Sequence, residues 1–260
     1  MIFDTHTHYD DKRFDADRNE LLSERLKQAG IDRVMNVASD LSSIQEVNEL
    51  SKAHKGVYGA LGLHPSEIAD LTDEVISRIR KLTEENPKIR AVGETGLDYH
   101  YGDEDVNEQK RGFIRQIDLA KKLHLPIIVH SRDAARDTLD IIKSRYTGSE
   151  KDINGVIHCF SYSAEEARKY TDLGFVIGIG GVVTFKNARK AKETVKEIPL
   201  EKLVLETDCP YLAPEPFRGQ RNTSLYLSYV IKAIADIKEV TEETVERITY
   251  DTAVRLYRIA

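Results

Sequence analysis

The feature that most constrains the fold of this chain is a repeated alternation between short β-branched runs and amphipathic stretches. Each run is followed by a turn and then by apolar residues at helical spacing. The predicted strands are residues 2–6, 33–38, 57–61, 90–94, 126–130, 154–159, 175–179 and 202–206. The predicted helices are residues 17–29, a helix from near Ser43, 73–85, 104–123, 133–146, Ser163 to Gly174, 187–197, 223–238 and Thr241 to about 258.

This alternation predicts a parallel sheet. Parallel neighbours need crossover connections of helical length, and strands buried on both faces show nearly continuous apolar runs. Eight such units fit a closed (β/α)8 TIM barrel, formed by residues 1–260 as a single domain. An open, doubly wound sheet is the alternative that the order of elements leaves open.

Composition narrows the class of protein. The net charge of −6 argues against a protein that coats long nucleic acid with a basic face, although it allows a local metal-rich pocket. No apolar run is long enough to cross a bilayer, so no membrane association is expected. The two cysteines give no disulfide framework, and we read both as packing residues. With no visible export signal, we expect a cytoplasmic protein.

Candidate metal ligands stand at the carboxyl ends of the predicted strands. His6 and His8 end the first strand and share one face, because side chains alternate along a strand. In a closed barrel all such ends meet at one rim, where barrel enzymes keep their chemistry. A single strand-end His or carboxylate is often a cap, but several together favour a metal site. The candidates are His6, His8, Glu94, His130, His158 and Asp208.

These candidates exceed the three ligands of one catalytic zinc and suit a pair of divalent ions. Glu94 is the expected bridge, since its two oxygens can serve two ions. In this assignment the first ion takes His6, His8, Glu94 and Asp208, and the second takes Glu94, His130 and His158.

Other polar residues follow the same strand ends and are candidate substrate contacts. An Arg can contact phosphate through two parallel hydrogen bonds. A solvated surface position is the alternative for each Arg, and a turn role before Pro65 is the alternative for the His. The candidates are His64, Arg132, Arg218 and Arg221.

Seven motifs together resemble the TatD family of metal-dependent deoxyribonucleases, within the amidohydrolase-like barrels. The resemblance extends over essentially the whole chain and keeps the order of the motifs. Three positions depart from the family's usual pattern: Tyr162 for Gly, Gln220 for Lys and Asp251 for Asn. The motifs are Asp-Thr-His-Thr-His at 4–8, Gly-Leu-His-Pro at 62–65, Gly-Glu-Thr-Gly-Leu-Asp-Tyr at 93–99, His-Ser-Arg-Asp-Ala at 130–134, His-Cys-Phe-Ser at 158–161, Glu-Thr-Asp-Cys-Pro at 206–210 and Arg-Gly-Gln-Arg-Asn at 218–222.

The resemblance implies hydrolysis of DNA phosphodiester bonds from a 3′ end, a 3′–5′ exonuclease activity. We expect a water activated by two divalent ions, with Mg²⁺ in use and Mn²⁺ or Zn²⁺ as alternatives. Asp208 and Glu94 are the predicted catalytic residues, and Asp208 accepts the proton of the water. DNA is the expected partner as substrate, with no obligate protein partner.

Two other functions remain open at this stage. One is a barrel hydrolase of C–N or ester bonds, of the lactonase or cyclic-amidase type. The absence of a Lys at the ligand-bearing strand ends disfavours it, because many such sites use a carboxylated Lys bridge. The other is a non-enzymatic metal or nucleic-acid binding protein, which the open coordination positions and the negative charge disfavour.

Overall fold

A computed structural model describes residues 1–102, 105–146 and 153–259, and its centre is an eight-stranded parallel sheet. The strands are hydrogen-bonded in chain order from first to last. Backbone bonds from Asp208 N to the His6 carbonyl (3.0 Å) and from His8 N to the Cys209 carbonyl (2.8 Å) join the two ends. The strands are β1 Ile2–Thr7, β2 Ile31–Val37, β3 Val57–Leu61, β4 Ile89–Asp98, β5 Ile127–Arg132, β6 Gly155–Ile157, β7 Phe175–Ile179 and β8 Leu203–Leu205.

Helices follow the strands and form the outer layer. The first, α1, spans residues 18–28 and contains a π-helical segment, Leu21–Arg25, between two short α-helical pieces. The others are α2 Leu41–Ala53, α3 Asp73–Glu85, α4 Val106–Leu123, α5 Ala135–Arg145, α6 Ala164–Asp172, α7 Arg189–Glu197, α8 Leu227–Lys238 and α9 Glu242–Tyr257. Short 3-10 helices lie at Lys12–Phe14, Pro65–Asp70, Gly181–Thr184, Leu200–Lys202 and Ser224–Tyr226.

This topology confirms the predicted TIM barrel. A doubly wound sheet reverses its strand order part-way, whereas this order is sequential throughout. Among the described residues, no helix has both the length and the apolar content that a bilayer crossing requires.

Several predicted boundaries were wrong, most of all in β4. The prediction ended this strand at Glu94, but it continues to Asp98 and pairs there with Arg132 at the end of β5. Gly93 and Gly96 have φ values of 151° and 148°. Because glycine is uncommon within strands, these two residues obscured the continuation of β4 in the sequence.

The other boundary differences are smaller. β5 runs two residues past the predicted end at 130, whereas β6 ends at Ile157 and β8 at Leu205, short of their predicted ends. The predicted continuous helix over 223–238 begins instead as a 3-10 turn at Ser224. The predicted start of the fourth helix, at 104, lies outside the described residues.

The side chains inside the barrel form one apolar cluster with the C-terminal helix. Phe3 of β1 contacts the Tyr257 ring of α9, with centroids 5.6 Å apart. Because Phe3 lies near the start of its strand, α9 covers the end of the barrel opposite the strand carboxyl ends. The remaining buried members are Met35, Val37, Ala60, Ala91, Ile128, Val156, Val176, Val204, Ala253, Leu256 and Ile259.

We predict that Tyr257→Phe destabilises the protein by about 1–2 kcal/mol, because a buried carbonyl loses its hydroxyl partner. The Tyr257 hydroxyl donates to the Thr5 carbonyl at 2.8 Å, and both groups are buried. Urea unfolding followed by circular dichroism measures the change. Tyr229→Phe is the matched control, since Tyr229 is 39% exposed. Equal unfolding midpoints for both variants would contradict this role for the hydroxyl.

Candidate metal centre

His6 in β1 and His8 just after its end point their Nε2 atoms at each other, 3.2 Å apart. The Nδ1 atom of His8 donates to the Val37 carbonyl at 2.9 Å, so in the neutral ring the lone pair is on Nε2. Two ring nitrogens that face one another across so short a gap converge on a common point. This arrangement is typical of a pair of metal ligands.

Asp208 completes this first group from the segment after β8, which lies next to β1 in the closed barrel. Its backbone is in the left-handed region at φ 56°, which Asp tolerates better than most residues. One carboxylate oxygen, Oδ1, lies 3.4 Å from His8 Nε2 and 3.7 Å from His6 Nε2. The bond from Asp208 N to the His6 carbonyl holds this residue beside β1.

Glu94 stands between two pairs of histidines. Its Oε2 lies 3.3 Å from His6 Nε2 and 3.8 Å from His8 Nε2. Its Oε1 lies 2.8 Å from His130 Nδ1 and 2.9 Å from His158 Nε2. Each carboxylate oxygen therefore faces a different nitrogen pair, the geometry that a bridging carboxylate requires.

Proton affinities in this cluster are strongly perturbed. Burial opposes the charge of Glu94, but the neighbouring His158 and His6 hold its pKa well below the usual range. Burial also lowers the pKa of His8, yet the hydrogen bond and charge of Asp208 prevail and raise it to about 9. By contrast, burial and the neighbouring His158 lower the pKa of His6 to about 4. Ionised carboxylates and basic nitrogens in one buried place fit a divalent cation.

His64 is the fifth histidine around Glu94, with its Nε2 3.9 Å from Oε1. Its Nδ1 accepts a hydrogen bond from the backbone N–H of Ser66 at 3.1 Å. Since Nδ1 is an acceptor, the proton of the neutral ring is on Nε2. His64 therefore presents an N–H donor to the cluster rather than a free lone pair.

The cluster forms the floor of a cavity of about 1000 Å³ at the strand carboxyl ends. This volume is at the upper end of the range for small-molecule sites, about 300–1,000 Å³. Loops after β1, β2 and β3 make one wall acidic, and Arg132 stands on the other side. The acidic residues of this wall are Asp10, Asp11, Asp40, Glu46 and Glu67, and the cation Lys12 lies among them.

Comparison with known proteins agrees with this geometry. The family model described as "TatD related DNase" matches residues 3–258. The chain belongs to this family. It is 44% identical over 259 residues to "Uncharacterized metal-dependent hydrolase YabD" of Bacillus subtilis, with 100% of both chains covered. It is 37% identical to "Uncharacterized metal-dependent hydrolase TatD" of Mycobacterium tuberculosis, covering 98% of this chain and 97% of the relative.

A solved relative shares the whole fold. The crystal structure of YjjV, a TatD homologue from Escherichia coli, matches with a TM-score of 0.92 at 29% identity. The match covers 100% of this chain and 98% of the other. The TatD-family barrel is thus common to both proteins over their full matched lengths.

Sequence reasoning missed Asp98, which contacts one of the histidines of this TatD-family cluster. Its Oδ2 lies 3.1 Å from His130 Nε2, while Oδ1 accepts the backbone N–H of His100 at 2.9 Å. A carboxylate that binds the outer nitrogen of a His directs the other nitrogen inward. Asp98 is the last residue of β4, so the strand-end criterion would have found it with the correct boundary.

The structure places the predicted phosphate contacts unequally. Arg132 lines the cavity, with its guanidinium 5.6 Å from the centre of the Tyr101 ring. Arg218 packs over Phe185 at 4.5 Å and is not part of the described cavity lining. Only Arg132 among the predicted arginines therefore reaches the described cavity.

The predicted substrate role of Arg221 needs correction. Its guanidinium donates to both carboxylate oxygens of Asp17, at 2.7 and 2.6 Å, and to the Arg13 carbonyl at 2.8 Å. It also packs over the Phe14 ring. Arg221 therefore connects the loop after β8 to the region before α1. Its guanidinium is engaged in these contacts, and its side chain lies outside the described cavity lining.

Glu206 lies behind His158 and is almost fully buried. One oxygen accepts the backbone N–H of Cys159 and lies 4.0 Å from His158 Nδ1. Burial raises its pKa to about 8. Gly178 provides the room, because a Cβ there would lie 2.2 Å from Glu206 Oε2. This placement behind His158, away from the cavity lining's metal-facing nitrogens, is that of a structural carboxylate.

We predict that Asp98→Asn lowers the affinity for a divalent cation about 10- to 100-fold, the usual effect of losing a carboxylate that orients a ligand. An amide offers one acceptor and one donor, so it cannot accept from both His100 N and His130 Nε2. Isothermal titration with Mn²⁺ measures the affinity.

Asp133→Asn is the matched control for this variant. Asp133 is exposed, and its carboxylate lies 2.9 Å from His100 Nδ1. Among the described residues, it belongs to none of the groups of candidate metal ligands. Its substitution should leave the Mn²⁺ affinity within about twofold of the wild-type value. Equal Mn²⁺ affinities for both variants would show that Asp98 does not orient a metal ligand.

Proposed function

We propose that this TatD-family protein is a metal-dependent hydrolase that cleaves DNA phosphodiester bonds as a 3′–5′ exonuclease. The observation that carries the proposal is Glu94, whose two oxygens face separate nitrogen pairs at the floor of an open cavity. The family description as a DNase supports DNA as the substrate class. The names of the relatives support hydrolysis that depends on a metal.

The residues present fit two divalent cations. We propose that His6, His8 and Asp208 hold one and that His130 and His158 hold the other, with Glu94 shared. When bound, such ions lower the pKa of water and neutralise phosphate charge. Four imidazoles suit Zn²⁺ or Mn²⁺ better than Mg²⁺, which prefers oxygen ligands, although carboxylates and water leave Mg²⁺ usable.

The protein's own groups have defined parts in this proposal. Burial favours the neutral form of Asp208, but the neighbouring histidines hold its pKa below the usual value, so the carboxylate is ionised and has a lone pair for the proton of an attacking water. The His64 N–H can donate to a phosphate oxygen above Glu94. Arg132 can bind the phosphate from the cavity wall.

The charge of the cavity supports an end-directed activity. Five carboxylates and one cation, Lys12, line the wall formed by the segments after β1, β2 and β3. A long polyanion lying across this wall would meet net repulsion. A strand end entering from the side of Arg132 avoids most of it. We therefore propose that the substrate is the end of a short or single strand.

Further expectations from the sequence belong to the same proposal. We propose that residues 1–260 act as one catalytic domain, in the cytoplasm and without an obligate protein partner. Fractionation of cells and gel filtration of the active protein test the last two points.

We predict that the metal-loaded protein degrades 3′-labelled single-stranded DNA, and that Asp208→Asn lowers the rate about 10²–10⁴-fold, the range for loss of a general base. Glu94→Gln should lower the rate at least as much, because both proposed metal sites lose the carboxylate that they share. Gel analysis of 3′- and 5′-labelled strands with Mg²⁺ or Mn²⁺ measures rate and polarity.

Asp133→Asn is the matched control in this assay too, since Asp133 is exposed and lies outside both the described cavity lining and the described groups of candidate metal ligands. It should cleave at nearly the wild-type rate. Turnover of a lactone or cyclic amide by a protein that leaves all DNA intact would instead favour the C–N or ester hydrolase. Binding of DNA or metal without any cleavage would favour the binding protein.

We predict that His6→Ala binds one divalent ion per chain where the wild type binds two, and loses most activity with its fold retained. His6 contacts both His8 and Glu94, so its loss removes a ligand from the ion assigned to His6, His8 and Asp208. The ligands of the other ion are unchanged. Elemental analysis after dialysis, with circular dichroism, measures both properties. His54→Ala, a change at the end of α2, should keep two ions. Two ions and full activity in His6→Ala at limiting metal would refute the two-ion assignment.

A further inference from the structure

Exposed aromatic side chains gather at the mouth of the cavity. Tyr101 is 71% exposed and Tyr211 is 49% exposed, and both belong to the cavity lining. Leu212, 40% exposed, stands beside Tyr211. Large apolar side chains left in water next to a binding cavity commonly mark a contact surface for a ligand.

The two tyrosines approach the mouth from opposite sides. Tyr101 follows β4 and Tyr211 follows β8. In a closed barrel of eight sequential strands, the fourth and the eighth strands lie across from each other. Glu94 of β4 and Asp208 after β8 are on the floor between them. A molecule held over these carboxylates can therefore reach a ring on each side.

An arginine backs each ring. The Arg13 guanidinium lies 4.3 Å from the centre of the Tyr211 ring and is fixed by bonds of 2.9 and 2.6 Å to Asp11. The Arg132 guanidinium lies 5.6 Å from the centre of the Tyr101 ring. Such contacts restrict a ring while a large part of it stays exposed, which lowers the entropic cost of stacking a ligand on it.

The acidic wall decides which part of a nucleic acid these rings contact. Phosphates gain little from a wall on which five carboxylates outnumber one cation, Lys12, whereas a nucleobase is uncharged and has an aromatic face. Stacking therefore supplies affinity that the charge of the cavity does not. It also distinguishes a nucleic-acid strand from a simple phosphodiester.

We propose that Tyr101 and Tyr211 are stacking platforms for the nucleobases on either side of the scissile phosphodiester. The inference rests on the proposed nuclease function and adds the recognition element: the substrate is selected by its bases as well as by its phosphate. One base stacks on each ring, and the linkage between them lies over Glu94 and Asp208.

The test is a comparison of two single-stranded DNA substrates by the metal-loaded protein. One carries all its bases, and the other lacks the bases on both sides of the scissile linkage. On the first substrate, Tyr211→Ala should raise KM at least about fivefold with a smaller change in kcat, and Tyr101→Ala should act in the same direction. On the abasic substrate, the effect of each substitution should largely disappear.

Two further variants keep the result interpretable. Tyr211→Phe retains the ring and should restore most of the affinity lost in Tyr211→Ala. Tyr229→Ala removes an exposed tyrosine that packs on Phe217 away from the described cavity lining, and it should leave KM unchanged.

Three results would overturn the inference, and the first two are distinguishable from the third. Equal losses for Tyr211→Ala on both substrates, or a Tyr211→Phe variant as impaired as Tyr211→Ala, would show that the ring does not stack on a base while the nuclease function stands. If the wild type cleaved neither substrate, the proposed nuclease function itself would be refuted.

Discussion

The contact of one carboxylate with two pairs of imidazoles is the interaction on which the rest of the site depends. Glu94 reaches His130 and His158 with one oxygen and His6 and His8 with the other. These residues come from strands at distant positions in the chain, so only a closed barrel brings them together. Burying this much ionisable surface is costly unless opposite charges meet. The barrel and the charge pattern of its floor therefore depend on each other.

The part of the site that follows from strand periodicity was predictable from the sequence. His6, His8, Glu94, His130, His158 and Asp208 lie at one rim because parallel strands present their carboxyl ends on the same side. Asp98 was missed because Gly93 and Gly96 interrupt the pattern by which a strand is recognised. The order of strands was also undetermined, since alternation of elements fits open and closed sheets equally well.

Arg132 and Arg221 differ in how far their positions could be predicted from the sequence. Arg132 could be placed because it follows the predicted strand end at residue 130 by only two positions, and strand ends have a known direction. Arg221 follows β8 at a distance, and its position depends on Asp17, more than two hundred residues earlier in the chain. An ion pair between remote loops has no signature in local pattern or spacing. Loop cations are therefore harder to place from the sequence than side chains at strand ends.

Protons and divalent cations compete for the same nitrogens in this cluster. The pKa values of His8 and His130 are raised to about 9 by the carboxylates they contact, so both rings carry protons at neutral pH when no other cation is near. A bound cation would replace those protons, and its apparent affinity would weaken as the pH falls below this range. His6, with its pKa lowered to about 4, offers a lone pair throughout. The floor of the barrel thus combines a nitrogen ready for a metal with carboxylates whose charge is balanced in either state.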